Sequence, residues 1–244
     1  MRIAIVSDIH SNVVALNTVL AAIGTVDQWW NLGDTIGYGP RPNECMAAMR
    51  ERAAIMISGN HDLACIGKLD LSDFNTDARI ANLWNGEQLN DDHRAFLEAC
   101  EPLQRVDDRF FVAHGSPRQP VWEYLLEASQ ARANFSQFEQ QVCFIGHSHV
   151  PLFFRRHADG RVEGPVLPDA GFELELKDAE RYIINPGSIG QPRNHDPRAA
   201  YAVLDTDANI VRFNRVEYDI AETQQQMRAV NLPMALIRRL DYGM

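Results

Sequence analysis

Carboxylate, amide and imidazole side chains recur in short clusters along this chain, and each cluster follows a run of apolar residues. The residues in these clusters are Asp8, His10, Asp34, Asn60, His61, His114, His147 and His149. Such groups are the ligands that borderline divalent metal ions accept. They are too many for one ion of coordination number about four to six, so the clusters predict two ions that share a carboxylate.

The apolar runs that precede the clusters predict strands of a parallel sheet. Residues 2–6 form a continuous β-branched run, typical of a strand buried on both faces, and residues 12–23 carry apolar side chains at helical spacing. A strand at 28–32, a helix at 43–51 and a strand at 53–57 follow. The resulting β-α-β-α-β order predicts that the polar clusters meet at the carboxyl edge of a parallel sheet.

The rest of the chain predicts further helices and strands without a linker or repeat. Residues 72–100 are polar and helical in character, and apolar strands are expected at 110–113 and 142–145. Residues 152–202 are strand-like, with glycine and proline breaks. The sequence therefore predicts one domain over residues 1–244, with a C-terminal helical extension at about 219–244.

Composition and charge exclude several classes of protein. Apolar residues make up 45% of the chain and charged residues 23%, as in a globular protein, and the net charge of -10 disfavours binding to nucleic acid. Four cysteines without a C-x-x-C pair predict reduced thiols in a cytoplasmic protein. The chain has no apolar stretch long enough for a membrane helix, and Ser7 and Asp8 interrupt the first apolar run too early for a signal peptide.

The ordered clusters resemble the motifs of the calcineurin-like metallophosphoesterases, and in particular of their small bacterial and archaeal phosphodiesterase-like group. The motifs stand here as Asp8-Ile9-His10, Gly33-Asp34, Gly59-Asn60-His61-Asp62, His114-Gly115 and Gly146-His147-Ser148-His149. A later segment, Asn185-Pro186-Gly187-Ser188, resembles a turn of the small bacterial members. The resemblance implies an α/β fold in which two mixed β-sheets, flanked by helices, form a four-layer sandwich.

The resemblance also implies which residues bind the metal ions. One ion would be bound by Asp8, His10, Asp34 and His149, and a second ion by Asp34, Asn60, His114 and His147. Asp34 would bridge the two. Their identity stays open among Mn, Fe, Zn, Ni and Co. Two cations about 3.5–4 Å apart activate water for attack on phosphorus and neutralise phosphoryl charge.

His61 would face the substrate rather than a metal ion. We expect its imidazole to donate a proton to the leaving group, and we expect the Asp62 carboxylate to orient that imidazole and raise its pKa. Arg193 is interpreted either as a hydrogen-bond donor to a substrate phosphate or as a solvated loop arginine. His195, in the same loop, carries a weaker case for lying at the site.

Other residues have both a functional and a structural interpretation. Tyr38 would either line the substrate site or pack for structure, and Asn12 would either reach the site or cap a helix, the cap being favoured. Trp29 and Trp30 are predicted to be core residues. Two of the histidines outside the motifs, His93 and His157, are predicted to be ordinary surface residues.

The predicted function is metal-dependent hydrolysis of a phosphoester bond in a small phosphorylated or nucleotide-like substrate, by a phosphodiesterase or phosphatase. The phosphoprotein phosphatases of the superfamily resemble G-D-x-x-D-R-G and R-G-N-H-E, whereas residues 33–39 read G-D-T-I-G-Y-G and residues 58–62 read S-G-N-H-D. Both arginines of those motifs are missing here, which weakens the case for a serine/threonine protein phosphatase. That function is kept as an alternative. A nuclease and a non-catalytic scaffold are two others. The sequence carries no signal for oligomeric state.

Overall fold

Two six-stranded sheets form the framework of the protein, whose computed structural model describes residues 1–244. The strands are β1 (Arg2–Val6), β2 (Gln28–Asn31), β3 (Ala53–Met56), β4 (Leu103–Arg105), β5 (Phe110–Ala113), β6 (Val142–Phe144), β7 (Leu152–Arg156), β8 (Val162–Val166), β9 (Glu173–Glu175), β10 (Arg181–Asn185), β11 (Ala199–Asp205) and β12 (Ile210–Val216). The helices are α1 (Val13–Ile23), α2 (Pro42–Arg52), α3 (Asn60–Cys65), α4 (Thr76–Gln88), α5 (Asp91–Ala99), α6 (Ala128–Asn134), α7 (Ile220–Ala229) and α8 (Met234–Arg238).

Each sheet is mixed, with a parallel part that ends at the polar clusters. The first sheet has the order β3-β2-β1-β11-β12-β9, in which β1, β2 and β3 are parallel. The second has the order β4-β5-β6-β10-β7-β8, in which β5, β6 and β10 are parallel. Antiparallel strands complete both sheets. The parallel sheet predicted for the first 60 residues is confirmed.

The main core lies between the two sheets, where alternate side chains of both meet. Ile5 and Trp30 of the first sheet pack with Phe144 and Tyr182 of the second, and all four are buried. The Trp30 ring contacts the Phe144 ring edge-on, with centroids 6.1 Å apart. Trp29 points to the opposite face and packs with the residues of α1 and α2. Both tryptophans are therefore core residues, as predicted.

Helices cover the outer faces of both sheets. Leu16 and Val19 of α1 pack on the first sheet, and Phe135, directly after α6, packs on the second. The α1 helix begins after Asn12, whose side chain accepts a hydrogen bond from Ala15 N–H at 3.1 Å. That contact confirms the favoured cap, which satisfies one of the unpaired donors of the first helical turn. The four-layer α/β sandwich is thus confirmed.

Two helices were not expected from the sequence. Residues 60–65 form α3, and all six of its residues are buried, so it has no polar face whose periodicity could be detected. Residues 128–134 form α6, which is only seven residues long. The helical character predicted for 72–100 is present as α4 and α5.

The last two helices, α7 and α8, pack beside α4. Met227, Leu236 and Leu240 form a buried cluster with Tyr38 and Ala81. The helices predicted in this part of the chain are therefore present, and they support a residue of the loop after β2. No helix in the structure combines the length and the apolar character needed to cross a lipid bilayer.

The surface position predicted for His93 is wrong, because its exposed fraction is only 8%. Its Nδ1 accepts a hydrogen bond from the Arg50 guanidinium at 2.8 Å, which requires a neutral imidazole. His157 is half-buried, with ring nitrogens 2.9 Å and 3.0 Å from the carboxylates of Glu163 and Glu180. Neither set of partners could be predicted from the sequence.

Because its imidazole is held neutral, His93 should make stability depend on pH. Burial, followed by the Arg50 guanidinium, lowers the pKa of His93 below its ordinary value. As the pH falls, His93 takes up a proton in the unfolded chain before it does so in the folded protein. The free energy of unfolding therefore decreases below about pH 6.5. We expect wild type to lose more unfolding free energy than His93→Asn between about pH 7.5 and about pH 5.5, because an amide oxygen accepts from Arg50 without titrating.

Urea unfolding of both proteins at the two pH values measures this difference. The other histidines are common to both proteins, so the difference isolates His93. Equal losses of stability in wild type and variant would contradict the prediction.

Candidate metal centre

The predicted ligands come together where the parallel strands of both sheets end. Asp8 and His10 follow β1, and Asp34 follows β2. On the second sheet, His114 follows β5, while His147 and His149 follow β6. All six side chains are buried, and Asn60, at the start of α3, is buried with them. The centre therefore lies between the two sheets and draws residues from both.

The backbone turns sharply at several of these residues. Six non-glycine residues around the centre have φ between +50° and +64°: Asp8, His10, Asp34, Tyr38, His147 and His149. Each such conformation costs on the order of 1 kcal/mol and persists where the surroundings enforce it. The turns let short side chains at the ends of different strands converge on one point.

One group of four side chains matches the first predicted metal site. Asp8, His10, Asp34 and His149 each offer a ligand atom, and these atoms all lie within 4.8 Å of one another. The Nε2 atoms of His10 and His149 are 3.0 Å apart. The His147 backbone N–H donates to both Asp8 carboxylate oxygens, at 3.2 Å and 3.1 Å, and so fixes that carboxylate.

A second group shares Asp34 with the first. Ligand atoms of Asp34, His114 and His147 also lie within 4.8 Å of one another. The His114 Nε2 atom is 3.3 Å from Asp34 Oδ2 and 3.2 Å from Asn60 Oδ1. The structure therefore brings together all seven residues predicted as ligands, in two groups that meet at Asp34.

Hydrogen bonds to backbone carbonyls orient three of the imidazoles. The Nδ1 atoms of His10, His114 and His149 donate to the carbonyls of Ile36, Leu32 and Gln191, at 3.3, 2.9 and 2.6 Å. Such bonds fix the proton on Nδ1 and turn the Nε2 lone pair towards the centre.

Several inward atoms are left without a protein partner. Asp34 Oδ2 and His147 Nε2 are buried and accept no hydrogen bond. The His10 and His149 lone pairs also face each other at 3.0 Å. An arrangement of buried acceptors without donors costs free energy unless a cation lies among them. The donor set therefore fits divalent metal ions.

Burial dominates the electrostatics of these side chains. It raises the pKa of Asp8 to about 7 and lowers the pKa of His147 to about 3. Burial also opposes the charge on His114, but the Asp34 carboxylate outweighs it and raises the pKa of His114 to about 9. Metal binding requires neutral imidazoles and ionised carboxylates, so it must displace protons from this centre.

His61 lies beside both groups and belongs to neither. Its backbone N–H donates to Asp34 Oδ1 at 2.8 Å, and its ring lies 4.9 Å from the His10 ring and 4.2 Å from the Tyr38 ring. Burial lowers the pKa of His61 to about 4. The imidazole thus borders the centre without taking the place of a ligand.

The contact predicted between Asp62 and the His61 imidazole is wrong. The buried Asp62 carboxylate accepts from the N–H groups of Gly59 at 2.9 Å and Ile36 at 3.0 Å, which fixes the two loops that carry Asn60 and Asp34. The hydrogen-bond partner of His61 Nδ1 is Asn82 Oδ1, at 2.7 Å. Burial raises the pKa of Asp62 to about 7.

The Arg193 guanidinium is held beside the centre by neutral groups. It donates to the hydroxyls of Tyr38 and Tyr124, at 3.2 Å and 3.3 Å, and to Gln191 Oε1 at 3.0 Å. None of these partners carries a negative charge. Tyr38 is buried by α4, α7 and α8, which supports its structural interpretation, and its ring also contacts His10 and His61. Its contact with a substrate stays a prediction.

Both polar atoms of the Asn12 side chain have protein partners. Its Nδ2 donates to the Gly190 carbonyl at 3.1 Å, and its Oδ1 accepts from Ala15 N–H and from the Thr223 hydroxyl. These contacts support its role as a helix cap, and its contact with a substrate stays a prediction. His195 is exposed, and its N–H donates to the Gly243 carbonyl.

The turn at residues 185–188 forms hydrogen bonds to the loops after β1 and β6, which carry ligands from the two sheets. Asn185 Nδ2 donates to the Gly146 carbonyl at 2.6 Å, and Ser188 Oγ donates to the Asp8 carbonyl at 2.8 Å. The backbone N–H of Gly190 also donates to the Asp8 carbonyl, at 2.9 Å. These bonds explain why the turn accompanies the metal-ligand motifs.

Four other residues that border the centre were not predicted from the sequence. The Tyr124 ring stacks on His147 at 4.2 Å, and the Phe74 ring contacts His61 at 5.0 Å and Trp122 at 5.1 Å. Asn82 is the fourth. These residues lie on loops and on α4, outside the strand ends where the predicted side chains were sought.

Comparison with known proteins identifies the family. A model of the calcineurin-like phosphoesterase superfamily domain matches residues 1–209. The chain belongs to the calcineurin-like phosphoesterases. An uncharacterised protein of Methanocaldococcus jannaschii is 34% identical over 249 residues, which cover 99% of this chain and 98% of the relative.

Solved structures agree with the family. A metallophosphoesterase from Sphaerobacter thermophilus is 48% identical, with a TM-score of 0.91, over 100% of this chain and 99% of that chain. A hypothetical protein from Pyrococcus horikoshii is 20% identical, with a TM-score of 0.79, over 100% of this chain and 98% of that chain, and it supports the fold alone. The resemblance to calcineurin-like phosphoesterases and the expected fold are therefore confirmed.

Gly59 tests how tightly the centre is packed. A Cβ at this position would overlap Asp34 Oδ1. We expect Gly59→Ala to reduce metal binding by about tenfold or more, because Asp34 must move from the point where the two groups meet. Metal affinity is measured by titration of the chelator-treated protein. Gly160→Ala, whose Cβ meets nothing within 4 Å, is the control, and equal affinities in the two variants would argue against the prediction.

Proposed function

We propose that this calcineurin-like phosphoesterase hydrolyses phosphoester bonds with two divalent metal ions. The observation that carries the proposal is the pair of buried ligand groups that meet at Asp34, whose Oδ2 accepts no hydrogen bond. The first ion would be held by Asp8, His10, Asp34 and His149, and the second by Asp34, Asn60, His114 and His147. When bound, such ions polarise phosphoryl oxygens and activate water, and Mn, Fe, Zn, Ni and Co all suit these ligands.

The protein's own side chains then position the substrate and protonate its leaving group. His61 lies next to the centre without binding metal, so we assign to its imidazolium form, which carries protons on both ring nitrogens, the proton donated from Nε2 to the leaving oxygen. Asp62 acts indirectly, because its carboxylate holds the backbone of the two loops that carry Asn60 and Asp34. The carbonyl bonds to the ligand imidazoles keep their lone pairs directed inward throughout the reaction.

Arg193 and the aromatic rim favour a small nucleotide-like substrate. The Arg193 guanidinium has only neutral partners, so its charge is available to a phosphate oxygen. Trp122 and Tyr124 are 36% and 44% exposed beside the centre and offer flat surfaces to a base or another planar group. Tyr38 forms the buried end of this wall.

The rival functions each lack support at this site. The two arginines typical of the protein phosphatases are absent from the motifs, and the net charge of -10 disfavours a nuclease. A non-catalytic scaffold would not need to retain every ligand together with His61. We place the enzyme in the cytoplasm, in keeping with its four unpaired cysteines.

Hydrolysis of bis(p-nitrophenyl) phosphate and p-nitrophenyl phosphate with added Mn²⁺ tests the reaction. We expect release of p-nitrophenol that EDTA abolishes, with two metal ions per chain by elemental analysis. His61→Ala should retain both ions and lose about 10²–10⁴-fold in rate, because it removes only the proton donor.

The choice of ester separates the two kinds of enzyme. Release from the diester identifies a phosphodiesterase, whereas release from the monoester alone identifies a phosphatase. Wild-type protein that binds two ions and hydrolyses neither these esters nor a panel of nucleotides and phosphopeptides would refute the proposed function.

The role of Arg193 is tested by its neutral analogue. We expect Arg193→Gln to lower kcat/KM by about tenfold to a hundredfold, because charge-assisted hydrogen bonds to phosphate are lost. Arg198→Gln is the matched control, since the Arg198 guanidinium pairs with Asp196 at 2.7 Å. Steady-state kinetics of both variants make the comparison. Equal losses would exclude a specific contact between Arg193 and the substrate.

A further inference from the structure

We propose that Asn82 is the positioning residue of His61. Its amide oxygen accepts a hydrogen bond from His61 Nδ1–H, which keeps its proton throughout, and thereby directs Nε2, which carries the second proton of the imidazolium, towards the leaving group. The inference rests on the proposed function, because it assumes that His61 serves the leaving oxygen. It assigns to an amide on α4 the role that the sequence had suggested for the Asp62 carboxylate.

The contact between the two residues is short and fully buried. Asn82 Oδ1 lies 2.7 Å from His61 Nδ1, and Asn82 has no exposed surface. The Cys65 thiol, one turn after His61 on α3, also donates to this oxygen, at 3.8 Å. Two donors on one side of the amide identify the oxygen, and not the nitrogen, as the atom that faces the imidazole.

The surrounding loop leaves the imidazole little freedom to rotate. A Cβ at Gly37 would lie 2.8 Å from His61 Cβ, 2.9 Å from its Nδ1 and 3.1 Å from Asn82 Oδ1, so the loop backbone packs directly on the pair. Asn85, three residues along α4, accepts from the Gly37 N–H at 3.1 Å and donates to the Gly39 carbonyl at 3.0 Å. The α4 helix therefore holds both the imidazole and the loop beside it.

The chemistry of an amide suits this position. An amide oxygen only accepts, so it fixes the His61 proton on Nδ1 and leaves Nε2 directed at the centre. Asn82 Nδ2 is buried without a partner, a cost that a purely structural residue would not carry. A carboxylate here would add a further buried charge to Asp8, Asp34 and Asp62.

The tautomer of His61 tests the inference without any measurement of activity. We expect nitrogen-15 NMR of histidine-labelled, Mg²⁺- or Zn²⁺-loaded protein to show neutral His61 as the Nδ1–H tautomer, so that the proton it takes up before the reaction is carried on Nε2. The signal is assigned by comparison with His61→Ala. In Asn82→Leu, which removes the acceptor at similar volume, the tautomers should mix. Asn82→Asp should restore the Nδ1–H form. An Nε2–H tautomer in the wild type would overturn the inference.

Leaving-group dependence tests the consequence for catalysis. Aryl methyl phosphates, or aryl phosphates if only monoesters react, vary the leaving group from p-nitrophenolate to phenolate. We expect Asn82→Leu to lose about tenfold with p-nitrophenolate, the size expected for one orienting hydrogen bond, and more with phenolate, which needs the proton most. Asn82→Leu added to His61→Ala should cause no further loss.

Asn85→Ala is the matched control, because Asn85 is buried on the same face of α4 and contacts the loop instead of the imidazole. Its rate loss should be equal for all leaving groups, and its His61 tautomer should match the wild type. If Asn82→Leu does not fold, Asn82→Ser replaces it, since a hydroxyl is too short to reach Nδ1. If the Asn82 variants lose the same factor in rate with every leaving group, the inference is overturned. A wild type that shows the Nδ1–H tautomer but no activity would refute only the proposed function.

Discussion

The burial of the Asp34 carboxylate is the constraint on which the centre depends. Asp34 lies where both ligand groups meet, and its Oδ2 is 3.6 Å from His10 Nε2 and 3.3 Å from His114 Nε2. The His61 N–H fixes Oδ1 from the opposite side. A carboxylate this deeply buried needs positive charge close by, and the surrounding imidazoles are held in the orientation that leaves their lone pairs for a cation. The strained turns at the strand ends, the close approach of Gly59 and the carbonyl bonds to the histidines all serve that arrangement.

Much of the fold was readable from the sequence because buried strands leave a strong signal. β1 and β5 begin and end as predicted, and the order of the first five elements is correct. The short helices α3 and α6 were missed, since a six- or seven-residue helix shows hardly two turns of periodicity, and α3 is buried on every side. The burial of His93 was also missed, because it depends on Arg50, which is distant in sequence.

The convergence of the residues predicted as metal ligands could be expected from the sequence, because their side-chain types and their positions after strands carry the same information. The residues that hold the ligands and His61 in place have no comparable pattern in the sequence. Asn82 and Asn85 lie in a polar stretch that is typical of a solvated helix, and only the packing of α4 against α3 shows that both are buried. Asp62 was assigned to its neighbour in sequence, although its carboxylate reaches the backbone of other loops. Adjacency in the chain is a poor guide to side-chain contact once the backbone turns.

The strand order has a consequence for how the protein is made. β1 lies between β2 and β11, so one of its hydrogen-bonding edges is completed only by residues 199–205. A nascent chain therefore carries an open, apolar edge until β11 has been made, and such edges are sites of aggregation. Since Asp8 and His10 follow β1 while Ser188 and Gly190 bind the Asp8 carbonyl, the centre takes its final form only after residues 188–190 have been synthesised.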